Sequence, residues 1–153
     1  MRAGPLLRRL ARVASLGLVA AAPAHADSLA VGSVLLCMST EGQPSVLAWV
    51  GRVESWADHG VTGAQGKVAL VHLQLQMEGG GAMDRAAHAP FEAEALRGCQ
   101  PVEAGRMTAD PAAFEEGYAT WRDAIRDGAG AFTIGPADAY WAVSGIRNGA
   151  TRS

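Results

Sequence analysis

Two histidines, His72 and His88, are the side chains of this chain best suited to acid–base or metal chemistry. His72 falls in an alternating segment that predicts a strand, and His88 could approach it if the loop after Met77 folds back. With Glu54 or Asp84, the two imidazoles would supply the nitrogen and oxygen ligands of a metal site. Nothing in the spacing selects metal geometry, because neither HxxxH nor HExxH occurs. We therefore favour a half-exposed strand histidine and a loop histidine with local hydrogen bonds, and no metal site is predicted.

A second candidate site is the polar side of that strand and of its predicted neighbour. Alternation over residues 68–77 places polar side chains on one face and apolar ones on the other. A face with both donors and acceptors could bind a peptide or a small polar ligand. The alternative, which we favour, is an ordinary solvated sheet face. This candidate polar face consists of Arg52, Glu54, His72, Gln74 and Gln76.

Motifs of the common enzyme classes are absent from the sequence. It has no G-x-S-x-G nucleophile elbow, no G-x-x-x-x-G-K-[ST] phosphate loop and no G-x-G-x-x-G. The first hypothesis is therefore a non-enzymatic accessory or binding domain without a cofactor, whose partner is an unknown protein or a small polar ligand. The rival hypothesis is a small enzyme or metal-binding protein that uses His72 and His88.

The first 26 residues predict an exported protein. A basic segment is followed by an uncharged apolar run at residues 13–22, and Ala24-His25-Ala26 has the small-x-small pattern of a signal-peptidase site. The apolar run is about half the roughly 20 residues that a membrane-spanning helix needs. We therefore expect a signal peptide at residues 1–26, a periplasmic or secreted location, and no stable membrane anchor after cleavage.

Cleavage would leave an acidic chain with nine basic and 15 acidic residues, a net charge of −6 with histidine neutral. Nucleic acids and anionic lipids select clustered cations. The chain has no basic run, so nucleic-acid binding is not predicted.

Cys37 and Cys99 are the two cysteines of the chain. An even count in an oxidising compartment favours a disulfide, although two separate buried thiols are the alternative. For a closed loop of about 60 residues, the chain-entropy model assigns such a bridge on the order of 4 kcal/mol of stability. The absence of a C-x-x-C pair leaves a thioredoxin-type redox role without support.

The chain after the leader predicts a single domain of the α+β class. It should contain a small antiparallel sheet of about three strands, with two to three helices packed on one face. The domain is expected over residues 27–146, and residues 147–153 are expected to form a frayed tail. Strands are predicted at residues 31–38, 46–54 and 68–77, and helices at residues 90–97, 111–127 and 136–143.

The same pattern predicts how these elements pack. Antiparallel pairing of the second and third strands would bring their odd-numbered side chains together in the core. Gly51 on that face would leave room for the close approach of a helix. The helix at residues 111–127 carries an apolar stripe, and we expect its Trp121 to pack on the sheet face that bears Trp49, Leu73 and Leu75.

The phrase FEEGYATWR, with GAFTI after it, resembles a motif of a family of small, uncharacterised proteobacterial proteins. Val71-His72-Leu73 and the segment HAPFEAEAL at residues 88–96 resemble that family too. No activity is assigned to the family, so the resemblance implies no catalytic residues. The aromatic residues of the phrase are interpreted as core, because their helical spacing already explains them.

Export predicts a mature chain that begins at Asp27, within a residue or two. Amino-terminal sequencing of the protein recovered from the periplasm should read DSLAV. A mature protein that starts at Met1 in the cytoplasm would contradict the assignment, and would also remove the redox argument for the disulfide.

Overall fold

The computed structural model of the protein describes residues 29–150, apart from the side chains of Ala82 and of residues 145–150. The predicted signal peptide at residues 1–26 and the last three residues of the predicted tail lie outside the described part. Within that part, no helix is both long and apolar enough to cross a bilayer.

The centre of the fold is an antiparallel sheet of five strands rather than the expected three. Its strand order is β4-β3-β2-β1-β5, so β4 and β5 form the two edges. The three predicted strands are the central ones. The bounds are Val34–Cys37 for β1, Val46–Ser55 for β2, Ala69–Met77 for β3, Arg85–Glu92 for β4 and Cys99–Val102 for β5.

The predicted helix at residues 90–97 is wrong, because residues 90–92 belong to strand β4 and only a 3-10 turn follows them. Residues 85–92 pair with β3, and Phe91 is completely buried there. Proline is tolerated at this position because β4 is an edge strand, where Pro90 leaves no ladder bond missing in the sheet interior. The remaining helical residues form one short 3-10 turn, Ala93–Leu96.

Over residues 29–150, three α-helices accompany the sheet, and the longest two match the predicted ones. α1 is a single turn at Gly63–Gly66, α2 covers Pro111–Ala124 and α3 covers Pro136–Ala150. Asp110 caps α2 by accepting a hydrogen bond from Ala113 N at 3.1 Å. α2 continues as a 3-10 turn to Asp127, as expected, whereas α3 extends beyond its predicted end and takes in part of the predicted tail.

The helices cover both faces of the sheet, which corrects the expectation of helices on one face. α3 packs through Ala137 and Ala139 on the face that carries Leu73 and Leu75. α2 packs on the opposite face, where Leu70 lies beneath its aromatic stripe of Phe114, Tyr118 and Trp121.

A β-bulge at Gly51 explains why the odd-numbered residues of β2 do not share one face. Val50 pairs with Leu73 but Arg52 pairs with His72, so Gly51 is extra. Before the bulge, Trp49 therefore lies opposite Gln74, on the α2 face. The predicted close approach at Gly51 is confirmed, because a Cβ there would overlap the Phe114 ring of α2.

The predicted disulfide between Cys37 and Cys99 is confirmed. The two residues face each other across β1 and β5, with their Cα atoms 4.1 Å apart. The bridge ties the edge strand β5 to its neighbour β1, and the two cysteines are separated by 62 residues in sequence. In the chain-entropy model a loop of this length contributes about 4 kcal/mol.

Candidate functional site

The carboxylate of Glu54 is the centre of a polar cluster between the sheet and α2. Its Oε1 lies 2.5 Å from His59 Nε2 and 2.8 Å from His72 Nε2. Tyr118 OH donates to Oε2 at 3.0 Å and to Oε1 at 3.2 Å. β2 supplies Glu54, the 3-10 turn Trp56–His59 that follows it supplies His59, and β3 and α2 supply the other two. Four elements are thus joined at one carboxylate.

His88 extends this cluster from the sheet centre to its edge. Its Nε2 lies 2.9 Å from His72 Nδ1, and the two rings stack with centroids 5.2 Å apart. Because an ionised carboxylate only accepts hydrogen bonds, His72 donates from Nε2 to Glu54 and its neutral ring accepts at Nδ1. His88 must then donate from Nε2, which leaves its Nδ1 as an acceptor. We call Glu54, His59, His72, His88 and Tyr118 the Glu54 cluster.

Helix α2 covers the cluster on the side opposite the sheet. Tyr118 and Trp121 meet the His72 ring edge-on, with centroids 5.0 and 4.7 Å away. Arg52 closes the outer side, with its guanidinium 4.0 Å above the Tyr118 ring. His72 is 0% exposed as a result.

The expectation of a wet polar face is therefore wrong, although its five residues do lie on one side of the sheet. Gln74 is fully buried and accepts from Asp110 N at 2.7 Å while donating to Asp110 O at 3.0 Å. Gln76 donates to Gly80 O at 2.7 Å. These two amides hold the start of α2 and the loop after β3, so they are structural.

Trp121 is buried as expected, but on the other face of the sheet from Leu73 and Leu75. It contacts Trp56 at a centroid distance of 6.0 Å and donates from Nε1 to Gly130 O at 2.8 Å. Trp49 does contact α2, through an edge-on pair with Phe114 at 5.3 Å.

Burial and the shared carboxylate determine the charges of the cluster. Desolvation lowers the pKa of His72 from 6.5 to about 4, against the opposing field of Glu54. Desolvation and the neighbouring His72 lower the pKa of His88 to about 4 as well. The pKa of Glu54 is lowered, because hydrogen bonds from His59 and Tyr118 outweigh its own burial. At neutral pH the Glu54 carboxylate is therefore an anion beside the neutral imidazoles of His72 and His88.

Within the described residues, no group of three or more His, Cys, Asp or Glu side chains is arranged to hold a metal ion. The separations of 2.5 and 2.8 Å around Glu54 are hydrogen-bond distances. Asp84, the other predicted acidic partner, is not in the cluster, because its carboxylate accepts from Gly81 N at 3.2 Å.

A groove of about 930 Å³ lies beside the cluster, and no local sequence pattern predicts it because its lining comes from β3, β4, Phe132 and the two long helices. β4 forms one side, and the other sides belong to α2 and α3. Gly117 brings α2 close, since a Cβ there would lie 2.7 Å from His88 Cβ. We call this space the α2–α3 groove. Residues that line it include Met83, Arg85, Ala86, His88, Ala113, Glu116, Tyr140 and Val143.

His88 thus belongs both to the Glu54 cluster and to the wall of the α2–α3 groove. Comparisons of the chain with protein-family models, with curated proteins and with solved structures find no match.

The lowered pKa values predict a protein that loses stability in mild acid. Between pH 6.5 and about 4, the unfolded chain binds protons at His72 and His88 that the folded chain does not bind. The free energy of unfolding should therefore fall as the pH falls through this window, by up to about 1.4 kcal/mol per pH unit for each proton. Urea titrations at a series of pH values measure the slope.

The variant His88→Gln is the matched comparison, because the amide can still donate to His72 Nδ1. It should show a smaller slope than the wild type. A stability that is flat between pH 7 and 5 would contradict the burial of the two imidazoles.

Proposed function

We propose that the protein is an exported, non-enzymatic binding domain whose ligand occupies the α2–α3 groove. The observation that carries this proposal is the groove itself, whose volume of about 930 Å³ is near the upper end of ordinary ligand sites.

Two features support export. The disulfide between Cys37 and Cys99 is of the kind that persists in oxidising compartments. The leader predicted at residues 1–26 would direct the chain there.

Binding is favoured over catalysis by the way the Glu54 cluster is closed. Both ring nitrogens of His72 are engaged, and the ring has no exposed surface. The Glu54 side chain is only 10% exposed and already accepts from three side chains, so a substrate has little access to its oxygens. The contact between His72 and His88 favours the alternative function, a small enzyme or metal-binding protein. In our proposal that contact instead positions α2, which is one wall of the groove.

Apolar surface forms slightly more than half of the groove lining, which suits a ligand with apolar parts. Met83 is 97% exposed at its rim, and Val143 on α3 is exposed as well. A flexible, polarisable methionine adapts to ligands of different shape. Ala86 and Ala113 keep the interior open, because neither side chain extends far into it.

Filling the groove tests the proposal. Ala113→Phe would place a ring in the space, whereas Ala112→Phe changes the neighbouring, exposed position that does not line it. With the uncharged apolar dye Nile red as probe, the wild type and Ala112→Phe should show the same fluorescence gain, and Ala113→Phe should lose most of it. Thermal unfolding confirms that both variants fold. Equal dye binding by the folded Ala113→Phe variant, or none by the wild type, would contradict the groove as the ligand site.

A further inference from the structure

The outer edge of β4 already accepts an extended partner at one end. Phe132 N donates to Pro90 O at 2.9 Å, and Phe132 O accepts from Glu92 N at 3.0 Å. These bonds form a parallel bridge between Phe91 and Phe132. A short piece of chain therefore lies beside β4 as a sixth strand would, but over one residue only.

The rest of this edge opens into the α2–α3 groove. β4 is an outermost strand of the sheet, and residues 85–89 line the groove. In the described part of the chain, these residues make no backbone–backbone hydrogen bond beyond their pairing with β3. A register shift against β3 lies within this segment, and Ala87 O there accepts from Gln74 Nε2 at 3.3 Å. An edge strand still presents its outward N–H and C=O groups to an extended peptide.

Side chains along the edge leave space for a strand. Ala86, Ala87 and Ala89 are small, so a second backbone can approach β4 to the usual strand spacing of about 4.8 Å. Across the groove, Ala113 on α2 and Ala139 on α3 are small as well. Alternate side chains of an added strand would then point between the helices or out to solvent.

The free charge of the groove is negative. Arg85 is already engaged, since it donates to Thr108 O at 2.7 Å and lies 4.0 Å from the Asp110 carboxylate. Glu116 is exposed and has no ion pair among the described residues. His88 is neutral at pH 7, because its pKa is lowered to about 4. A cationic side chain on the occupant would therefore find an unpaired carboxylate at the groove.

We propose that the α2–α3 groove binds an extended segment of a partner protein as an added strand on β4. The segment carries small or apolar side chains in alternation, with at least one Lys or Arg that pairs with Glu116. This inference rests on the proposed function, since it names the ligand class of the same groove.

Backbone methylation tests the strand geometry. A fluorescein-labelled decapeptide of alternating valine and lysine is compared with two versions that are N-methylated at either the odd or the even positions. In a strand, the N–H groups of alternate residues point to opposite edges, so only one set can face β4. By fluorescence anisotropy, one methylated peptide should bind at least tenfold more weakly than the parent, and the other should bind as well as the parent.

Substitutions at the neighbouring residues Glu116 and Glu115 test the proposed ion pair between the groove and the peptide. Glu116→Lys should weaken binding of the parent peptide several-fold, and this difference should shrink as salt is added. Glu115→Lys is the control, because Glu115 lies outside the groove and faces Arg52 at 3.9 Å. Equal loss in both variants would overturn the assignment to Glu116.

Failure of this inference is distinguishable from failure of the proposed function. Nile red binding that is blocked by Ala113→Phe, without peptide binding up to millimolar concentration, would overturn the peptide and leave the groove as a ligand site. Peptide binding that both methylated versions retain would overturn strand addition alone. Self-association of the protein through β4, seen by sedimentation and not relieved by the peptide, would make a second copy the occupant and overturn the partner segment.

Discussion

The Glu54 carboxylate must be satisfied inside the protein, and the arrangement of α2 on the sheet depends on this requirement. An ionised carboxylate removed from water is costly unless several donors replace its hydration. His59, His72 and Tyr118 supply those donors from three different elements. Apolar contacts hold α2 against β2 and β3. Because Tyr118 must also reach Glu54, this hydrogen bond determines where α2 lies along its own axis.

That position then determines the α2–α3 groove. Phe114 enters the space left by Gly51, and Gly117 passes close against His88. α2 therefore lies against β4 on one side, while α3 is held on the opposite face by Ala137 and Ala139. The outer edge of β4 lies between the two helices. The buried cluster and the open groove are thus two consequences of one helix placement, and His88 belongs to both.

Local patterns predicted much of this fold. Alternation in residues 68–77 identified β3 and grouped His72 with Gln74 and Gln76, and the cap at Asp110 located the start of α2. These local patterns did not predict that the polar side of β3 would be buried. Alternation indicates which residues share a face, whereas the helix that covers this face is α2, whose Tyr118 is separated from Glu54 by 64 residues.

The segment FEEGYATWR has a structural role. Its Phe114, Tyr118 and Trp121 are buried, as their spacing suggested, and its Gly117 packs against His88. The bulge at Gly51 and the strand at Pro90 were missed because both depend on pairing with β3, which no local propensity encodes.

The protonation of His72 and His88 tests the buried cluster most directly. A ¹⁵N-resolved NMR titration of the two imidazoles follows each ring nitrogen separately. Both rings should remain neutral at pH 5.5, with the His72 proton on Nε2, and should titrate near pH 4. Titration of both rings close to pH 6.5, the value of a solvated histidine, would contradict it, since that result would place them on an open, wet face of the sheet.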